Sequence, residues 1–423
     1  MKVYDLVGIG IGPFNLSLAA LLEPKKNLDI KFLDLKKEFD WHPELIFDDA
    51  PMQTSFLKDL VTPVDPTNPY SFLNYLATNN QFYQFVNTGR SVITRIEFQD
   101  YMKWASHKLE HVLNFDQQVK NIEYSGEHFK IKTHDKEIAA RHICVASGPI
   151  RNIPECARPH LGKSVFHAKS SEISDVDLQG KRVLIVGGGQ TGVETFRNAL
   201  KSRWGKCSSI KLITGRENLQ PLDEGAFTNE IFSPDFVSHF YDVDQDKKDA
   251  FTRSLLLASD GNTPSYLQEL YNELYLDRYY KKEYSPYEIS PMSWLEEVKG
   301  IDGSYECSIK NNLNGKKYHY HADIIILATG FCTKLPSFME SLKDNLEFDE
   351  YERPIVLKDY RLKSKTGENN IYAMNYSRHG HGIADPQTSL MSWRSSIIAR
   401  HILNEDMNSS PNNSFLNFFN NEE

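Results

Sequence analysis

Residues 3–22 read VYDLVGIGIGPFNLSLAALL, in which a short apolar run meets a glycine-rich turn and an apolar segment of helical period follows. A strand, a glycine turn and a helix in this order are typical of the start of a dinucleotide-binding βαβ unit. The turn glycines let the backbone approach a pyrophosphate at the N-terminus of the helix. The contacts predicted in this turn are Gly8, Gly10, Gly12 and Pro13. Because tight turns without a ligand also show such glycines, the rest of the chain has to support the prediction.

Asp34 ends the next apolar run, LDIKFLDL at residues 28–35. In a dinucleotide-binding unit, an acidic residue at the end of the second strand hydrogen-bonds a ribose hydroxyl. The alternative is an aspartate that only closes a turn after the strand. Because the glycine turn precedes it, we favour the ribose contact.

A second glycine motif lies in KRVLIVGGGQTGVETFRNAL, residues 181–200, again between an apolar strand and an amphipathic helix. It is a complete G-x-G-x-x-G motif, whose predicted cofactor contacts are Gly187, Gly189, Gln190, Thr191 and Gly192. The strand predicted after it ends in Gly215-Arg216, with no acidic residue at the ribose position. A guanidinium suits a 2′-phosphate, so Arg216 favours NADP over NAD; the alternative is a solvated arginine on a loop.

Two such units in one chain predict an α/β protein with two dinucleotide-binding, Rossmann-like domains and a small helical substrate segment. The usual reason for the pair is FAD in the first unit and NAD(P)H in the second. The predicted division is a discontinuous FAD-binding domain at 1–155 and 335–423, an NADPH-binding domain at 156–222 and 290–334, and a mainly helical substrate-binding segment at 223–289.

Composition argues against several classes of function. The chain has 423 residues and a formal net charge of −9, which argues against nucleic acid as a partner. Its five cysteines include no C-x-x-C pair, so neither a disulfide framework nor a metal site is predicted. The apolar N-terminus is interrupted by Asp5 and the glycine turn, unlike a signal peptide or membrane anchor. We therefore expect a cytoplasmic protein without membrane contact.

Four further blocks carry a family resemblance: DWHP at 40–43, FLKDLV at 56–61, FTNEIF at 227–232 and HGIADPQ at 381–387. Generic dinucleotide-binding folds do not explain them. Together with both glycine motifs, they make nearly the whole chain resemble the flavin-dependent N-hydroxylating monooxygenases. These are the lysine N6- and ornithine N5-monooxygenases of hydroxamate siderophore biosynthesis. The resemblance implies the flavoprotein monooxygenase fold, FAD and NADPH as cofactors, and a small-molecule amine and O₂ as substrates.

The resemblance also implies roles for individual residues, carried over by position in the matching blocks. The implied flavin contacts are His42, Gln53, Ser389 and Leu390; the implied NADPH contacts are Gln190, Thr191 and Arg216; the implied substrate contacts are Lys58 and Asn229. No side chain is assigned as a catalytic acid or base, because the cofactor carries the chemistry through a C4a-hydroperoxyflavin. The family includes tetramers and monomers, and a homotetramer is the oligomer considered for this chain.

Lys58 bears on the class of substrate. A fixed cation suits a carboxylate, so it favours an α-amino acid over a diamine. L-lysine comes first because the run at 259–261 resembles the lysine branch, whereas Asn229 resembles the ornithine branch. Ornithine, putrescine, cadaverine, diaminopropane and histamine stay open as substrates. The alternative for Lys58 is an ion pair with Asp59 or with a group beside the flavin.

Other classes of protein fit the sequence less well. A flavin disulfide reductase needs a redox pair of cysteines, and a Baeyer–Villiger monooxygenase needs a motif that residues 161–167 do not match in spacing. A nucleotide sensor without activity would keep the glycine turns, but it would have no reason to keep the four blocks. The N-hydroxylating monooxygenase is therefore the favoured class.

Overall fold

Two sheets with parallel strands carry the fold in the computed structural model, which describes residues 2–25, 27–45, 47, 50–405 and 414–419. The strands up to residue 155 are β1 (Val3–Ile9), β2 (Ile30–Leu33), β3 (Pro51–Ser55), β4 (Val92–Thr94), β5 (Leu113–Asn114), β6 (Val119–Tyr124), β7 (Phe129–Thr133), β8 (Glu137–Val145) and β9 (Ile150–Arg151). The helices of this part are α1 (Pro13–Leu22), α2 (Phe72–Thr78), α3 (Phe82–Asn87) and α4 (Arg95–Lys108), with a 3₁₀ turn at Pro43–Leu45.

The first sheet has the strand order β5-β2-β1-β8-β7-β6. β1 runs parallel to β2 and β8, and β2 runs parallel to β5. β7 and β6 continue from β8 as an antiparallel meander. The second half of β1, residues 6–9, is buried, which is the reason that it is free of charged residues. α1 is likewise buried along nearly all of its residues.

The second sheet is built from strands after residue 155. The strands of this part are β10 (Val165–His167), β11 (Arg182–Val186), β12 (Ser209–Ile213), β13 (Tyr287–Ser290), β14 (Ser293–Ile301), β15 (Ser304–Asn311), β16 (Lys317–Ala322), β17 (Ile324–Leu327) and β18 (Phe331–Cys332). The helical segments are α5 (Glu172–Asp175), α6 (Gln190–Leu200), α7 (Pro234–Phe240), α8 (Gln245–Ser254), α9 (Leu257–Asp260) and α10 (Pro264–Leu276), with 3₁₀ turns at Glu155–His160 and Thr228–Phe232 and a π-helical turn at Asp277–Lys281. The parallel strands follow the order β10-β17-β11-β12-β13, and β14, β15 and β16 form a separate antiparallel sheet.

The last part of the chain returns to the first sheet. Its elements are β19 (Ile371–Ala373), α11 (Arg378–His381), α12 (Met391–Leu403) and 3₁₀ turns at Ser337–Asn345, Gly382–Ala384 and Thr388–Leu390. β19 pairs in parallel with the C-terminal half of β8, and α12 packs against α1. β9 and β18 pair with each other, so the two connections between the sheets lie side by side.

The predicted α/β class with two dinucleotide-binding units is confirmed. Each glycine motif lies between a buried parallel strand and a helix, β1–α1 and β11–α6. The segment predicted to be mainly helical contains α7 to α10. β13 belongs to the second parallel sheet, so the predicted division after residue 289 falls within this strand.

Two buried histidines, His167 and His381, should make the protein less stable at mildly acidic pH. Burial lowers the pKa of His167 to about 4 and that of His381 to about 3, because desolvation disfavours a charged ring. In the unfolded chain the pKa of a histidine is about 6.5. The unfolded state therefore binds more protons below about pH 6.5, and the free energy of unfolding falls as the pH drops. The loss is about 1.4 kcal/mol per histidine and pH unit between the two pKa values.

We therefore expect Tm to fall between about pH 6.5 and pH 5 and to change little between about pH 7.5 and pH 6.5. Most carboxylates titrate below this window, so the histidines dominate it. Thermal unfolding followed by circular dichroism over this range measures the effect. A constant Tm down to about pH 5 would contradict the neutral, buried state of these rings.

Candidate cofactor and substrate site

The first glycine turn joins β1 to α1, and its backbone leaves no room for a side chain at Gly10. Gly10 has a φ of 88°, and a Cβ at this position would lie 2.5 Å from the carbonyl oxygen of Ala146. Gly12 precedes α1 as its N-cap without a side-chain hydrogen bond, and a Cβ there would meet nothing within 4 Å. The open space and the uncapped N–H groups form a cradle that fits the pyrophosphate of a dinucleotide.

Asn15 holds this turn in place, a role that does not follow from the sequence alone. Its buried Nδ2 donates to the carbonyl oxygen of Gly10 at 2.8 Å and to those of Ile9 and Cys144 at 3.3 Å. The amide thus ties the turn to the adjoining ends of β1 and β8. Its place directly after the glycine turn, in Gly-Pro-Phe-Asn, is the signal in the sequence, but the spacing alone does not reveal where the side chain points.

Asp34 lies beside the same turn. Its Oδ2 accepts a hydrogen bond of 2.6 Å from the backbone N–H of Ile11, and its Oδ1 accepts one of 2.8 Å from that of Lys36. The carboxylate is buried at the end of β2. The carboxylate of Asp34 therefore stabilises the glycine turn, and its contact with a ribose hydroxyl stays a prediction.

Substitutions at two glycines distinguish the role of this turn in protein stability from its role in FAD binding. Gly10→Ala forces a left-handed φ on a residue with a Cβ and should destabilise the protein by about 1–3 kcal/mol. Gly12→Ala meets no protein atom, so the Tm without cofactor should stay unchanged while the affinity for FAD falls about tenfold or more. Flavin fluorescence titration and thermal unfolding of the apoprotein measure the two effects. Unchanged FAD binding by the Gly12→Ala variant would show that the pyrophosphate does not lie there.

The second glycine turn joins β11 to α6 in the same way. Gly187 has a φ of 123°, and a Cβ on it would overlap the carbonyl oxygen of Ala328. A Cβ on Gly192 would overlap the carbonyl oxygen of Gly187, so this glycine allows the helix to lie close to the strand. Gly189 is the N-cap of α6 and has no side-chain cap. The N-terminus of α6 is thus a second place that fits a phosphate.

Arg216 stands next to this helix N-terminus. Its Nη2 lies 3.8 Å from the position of a Cβ on Gly189. Its buried Nη1 has no hydrogen-bond partner among the residues that the structure describes. A cation with an unused donor beside an uncapped helix suits a phosphate monoester, as on the ribose of NADPH.

Gln53 and Gln190, both predicted to contact cofactors, are linked to each other through Thr263. The backbone N–H of Thr263 donates to Oε1 of Gln190 at 2.7 Å, and Nε2 of Gln53 donates to Oγ1 of Thr263 at 3.2 Å. Thr191 follows as the second residue of α6. The neighbouring Asn262 donates from Nδ2 to the carbonyl oxygen of Gly188 at 3.0 Å. The sequence alone did not point to Asn262 and Thr263, although they directly follow the run at 259–261.

The residues expected around the flavin ring carry buried polar atoms that lack partners. Nδ1 of His42 and Oγ of Ser389 are buried and have no hydrogen-bond partner within the described part of the chain. Such atoms are rare in folded proteins and call for a ligand or water. These orphaned atoms fit a flavin whose ring edge carries donors and acceptors. Leu390 is buried beside Ser389 at the start of α12.

The surroundings of His42 are positively charged. Burial, together with the nearby charges of Lys169, Arg95 and Lys36, lowers the pKa of His42 well below its usual value. Burial also lowers the pKa of Lys169 to about 8. The ring of His42 is therefore neutral at physiological pH and can offer one donor and one acceptor. Lys169 is a further residue of this region that the sequence did not point to.

Lys58 is not paired with its neighbour Asp59. The carboxylate of Asp59 accepts hydrogen bonds from the backbone N–H groups of Val61 at 2.9 Å, of Thr62 at 2.7 Å and of Phe72 at 2.6 Å, and from Oγ1 of Thr62 at 2.8 Å. Lys58 forms no ion pair with any residue in the described ranges, and burial lowers its pKa. The cation lines a small pocket whose other walls include Phe56 and Phe72. The alternative of an ion pair with Asp59 is therefore wrong.

Asn229 is exposed in the 3₁₀ turn Thr228–Phe232. Its Nδ2 donates to the carbonyl oxygen of Glu224 at 3.4 Å, a weak contact. The same turn packs through Ile231 and Phe232 into a cluster with Leu390, and β3, just before Lys58, packs against Thr388–Leu390. Chain segments next to both predicted substrate contacts thus pack against the turn Thr388–Leu390, and no hydrogen bond joins Lys58 to Asn229 in the described structure.

Several kinds of site are absent from the described residues. They contain no group of His, Cys, Asp or Glu side chains arranged to hold a metal ion, and their cysteines are free thiols. Among the same residues, no helix combines the length and apolar character needed to span a bilayer.

The comparisons with known proteins agree on one family. A family model described as L-lysine 6-monooxygenase/L-ornithine 5-monooxygenase matches residues 2–333. The L-lysine N6-monooxygenase of Escherichia coli is 36% identical over 409 residues, which cover 96% of each chain. The solved structure of the FAD-bound cadaverine monooxygenase DfoA from the desferrioxamine pathway of Erwinia amylovora superposes with a TM-score of 0.89 at 27% identity, covering 96% of this chain and 95% of the other.

A second solved structure carries both cofactors. The ornithine N-hydroxylase KtzI of Kutzneria sp. 744, with reduced FAD, NADP⁺ and L-ornithine, has a TM-score of 0.88 at 26% identity and covers 95% of this chain and 99% of its own. The predicted enzyme class and the predicted flavoprotein fold are therefore confirmed. Because the family model spans most of the chain and the E. coli enzyme aligns over nearly all of it, the chain belongs to the L-lysine 6-monooxygenase/L-ornithine 5-monooxygenase family of N-hydroxylating flavin monooxygenases.

Proposed function

We propose that this protein hydroxylates the terminal amine of an α-amino acid, with FAD and NADPH as cofactors and O₂ as the oxidant. The substrate proposed first is L-lysine, which would give N6-hydroxylysine for a hydroxamate siderophore. The observation that carries the proposal is the unpaired state of Lys58 in the described structure, since Asp59 is saturated by other donors. The identity of 36% with a lysine enzyme supports lysine over shorter amino acids.

The cofactor contacts are proposed from the two cradles and the orphaned polar atoms. FAD would be held by Gly8, Gly10, Gly12, Pro13, Asp34, His42, Gln53, Ser389 and Leu390. NADPH would be held by Gly187, Gly189, Gln190, Thr191, Gly192 and Arg216. When bound, the NADPH-reduced flavin supplies activated O₂, one atom of which goes to the amine nitrogen while the other leaves as water.

The protein has to present the substrate amine as its free base. An ordinary lysine amine has a pKa of about 10.4, so roughly one molecule in a thousand is neutral near pH 7, equivalent to about 4 kcal/mol. Desolvation lowers the pKa of an ammonium group and recovers part of this energy.

Lys58 and Asn229 would orient the other end of the substrate. The ammonium of Lys58 would pair with the α-carboxylate, and the amide of Asn229 would hydrogen-bond the α-amino end. A charged hydrogen bond at a half-buried site contributes about 1.5–3 kcal/mol, enough to separate an amino acid from its decarboxylated amine. With the carboxylate end fixed, the length of the side chain decides where the amine nitrogen lies.

Three observations favour other substrates. Asn229 resembles the ornithine branch, and the structure of KtzI contains L-ornithine. DfoA, which superposes over 96% of this chain, is a cadaverine monooxygenase. L-ornithine and the diamines, with histamine, are therefore the second candidates.

Hydroxylamine formation by the FAD-loaded protein tests the order of these candidates. We expect the highest kcat/KM for L-lysine, and a value about tenfold to 100-fold lower for L-lysinamide and cadaverine, which lack the carboxylate. L-ornithine, putrescine, diaminopropane and histamine complete the panel. Exclusive turnover of a diamine would contradict the carboxylate role of Lys58, whereas a preference for L-ornithine would move the proposal to the ornithine branch.

The remaining parts of the proposal concern the organisation of the protein. We propose that 1–155 and 335–423 bind FAD, that 156–222 and 290–334 bind NADPH, and that 223–289 contribute to the substrate site. A cytoplasmic location and a homotetramer are proposed from the family alone. Sedimentation of the purified protein measures its oligomeric state.

A further inference from the structure

A buried carboxylate, that of Glu194, lies one helical turn after Gln190 in α6. Its side chain is 0% exposed, and both of its oxygens accept hydrogen bonds of 2.9 Å from the guanidinium of Arg95. Arg95 is the first residue of α4 and comes from the first domain, and its side chain is 17% exposed. A bidentate ion pair therefore crosses between the helix of the second glycine motif and the flavin side of the molecule.

Hydrogen bonds extend this pair into a chain that reaches β3. Nε2 of Gln190 donates to Oε1 of Glu194 at 2.8 Å, while Oε1 of Gln190 accepts from the N–H of Thr263 at 2.7 Å. Oγ1 of Thr263 accepts from Nε2 of Gln53 at 3.2 Å. β3, which carries Gln53, pairs with β4, and the N–H of Arg95 donates to the carbonyl oxygen of Ala50 at 3.0 Å. The contacts thus form a closed ring through both domains.

Packing alone does not require a charge at position 194. A buried carboxylate is costly unless it is paired and hydrogen-bonded, and an apolar side chain of similar volume would often stabilise the fold as well. Buried ion pairs can instead fix one geometry among several. Here the ion pair fixes the position of the N-terminus of α6 relative to β3. The N-terminus of α6 is the proposed phosphate site of NADPH, and β3 is part of the proposed flavin wall.

We propose that Arg95, Glu194, Gln190, Thr263 and Gln53 form an interdomain clamp that positions the NADPH-binding helix for hydride transfer to the flavin. Arg95, Glu194 and Thr263 are positioning residues in this clamp. The inference rests on the proposed function, because it assumes NADPH at α6 and FAD at α1. Hydride transfer is sensitive to misplacement, and a shift of about 1 Å costs about 100-fold in rate.

The clamp is tested by anaerobic reduction of the FAD-loaded protein with NADPH in a stopped-flow spectrometer. Glu194→Gln and Arg95→Met should each slow flavin reduction about tenfold to 100-fold, and the double variant should be no slower than the slower single variant. Thr263→Val, which removes only the bond from Gln53, should slow it less. The control is Glu288→Gln, which breaks the ion pair of 2.9 Å with Lys211 within the second sheet and should leave the rate unchanged.

Each outcome decides the proposal. The clamp would be rejected if flavin reduction in both Glu194→Gln and Arg95→Met stayed within about twofold of the unmodified rate, even with a lower Tm. It would also be rejected if the effects of the two single substitutions multiplied in the double variant. Should one of them fail to fold, the other and Thr263→Val decide in the same way. Hydroxylamine formation by the unmodified protein is measured in parallel. Its absence would reject the proposed function, whereas normal hydroxylation with unaffected variants would reject only the clamp.

Discussion

Replacing Lys58 with methionine is expected to raise the KM for L-lysine about tenfold to 100-fold. The substitution keeps most of the volume and removes the charge that is proposed to pair with the α-carboxylate, an interaction of about 1.5–3 kcal/mol. Asp59 makes its hydrogen bonds without Lys58, so the loop around it should stay folded. Flavin reduction by NADPH in the absence of amine should therefore keep its rate.

Steady-state hydroxylamine formation and single-turnover reduction separate these effects. Lys58→Arg keeps a cation and should restore part of the affinity. The matched control is Lys163→Met, an exposed lysine of the other domain, which should leave KM unchanged. If Lys58→Met left the KM for L-lysine unchanged, or raised that for cadaverine equally, the pairing with a carboxylate would be wrong.

Replacing Arg216 with methionine is expected to reduce the preference for NADPH over NADH about tenfold to 100-fold. Its guanidinium lies beside the N-cap of α6 and has a buried Nη1 without a partner among the described residues, as a site for the 2′-phosphate requires. The loss should fall on NADPH, because NADH lacks the group that Arg216 would bind.

The ratio of kcat/KM for the two nucleotides measures this preference. Arg158→Met is the control, because Arg158 belongs to the same domain and its side chain is 56% exposed. A ratio for Arg216→Met equal to that of the unmodified protein would show that another residue recognises the 2′-phosphate.

The parallel core and both glycine turns follow from local sequence. A glycine is required at positions 10 and 187 because φ is positive and a carbonyl oxygen stands where a Cβ would be. The buried parts of β1 and β11, residues 6–9 and 183–186, are free of charged residues, and these short runs identify the strands. These signals lie within a few residues of one another, which is why they are visible without a structure.

The links between distant residues do not follow from the sequence. Gln53, Gln190 and Thr263 meet only because β3, α6 and α10 come together in space. Likewise, the two interpretations of Lys58 differ in whether Asp59 is free, and that depends on the N–H of Phe72 in another element. Amide and carboxylate side chains accept many partners, so their type alone does not predict the contact.

The most direct test of the account is product analysis after turnover of the FAD-loaded protein with NADPH, ¹⁸O₂ and L-lysine. We expect N6-hydroxylysine that carries one ¹⁸O atom, in an amount close to the NADPH consumed. Consumption of NADPH with formation of hydrogen peroxide and no hydroxylated product from L-lysine, L-ornithine or any of the diamines would contradict it.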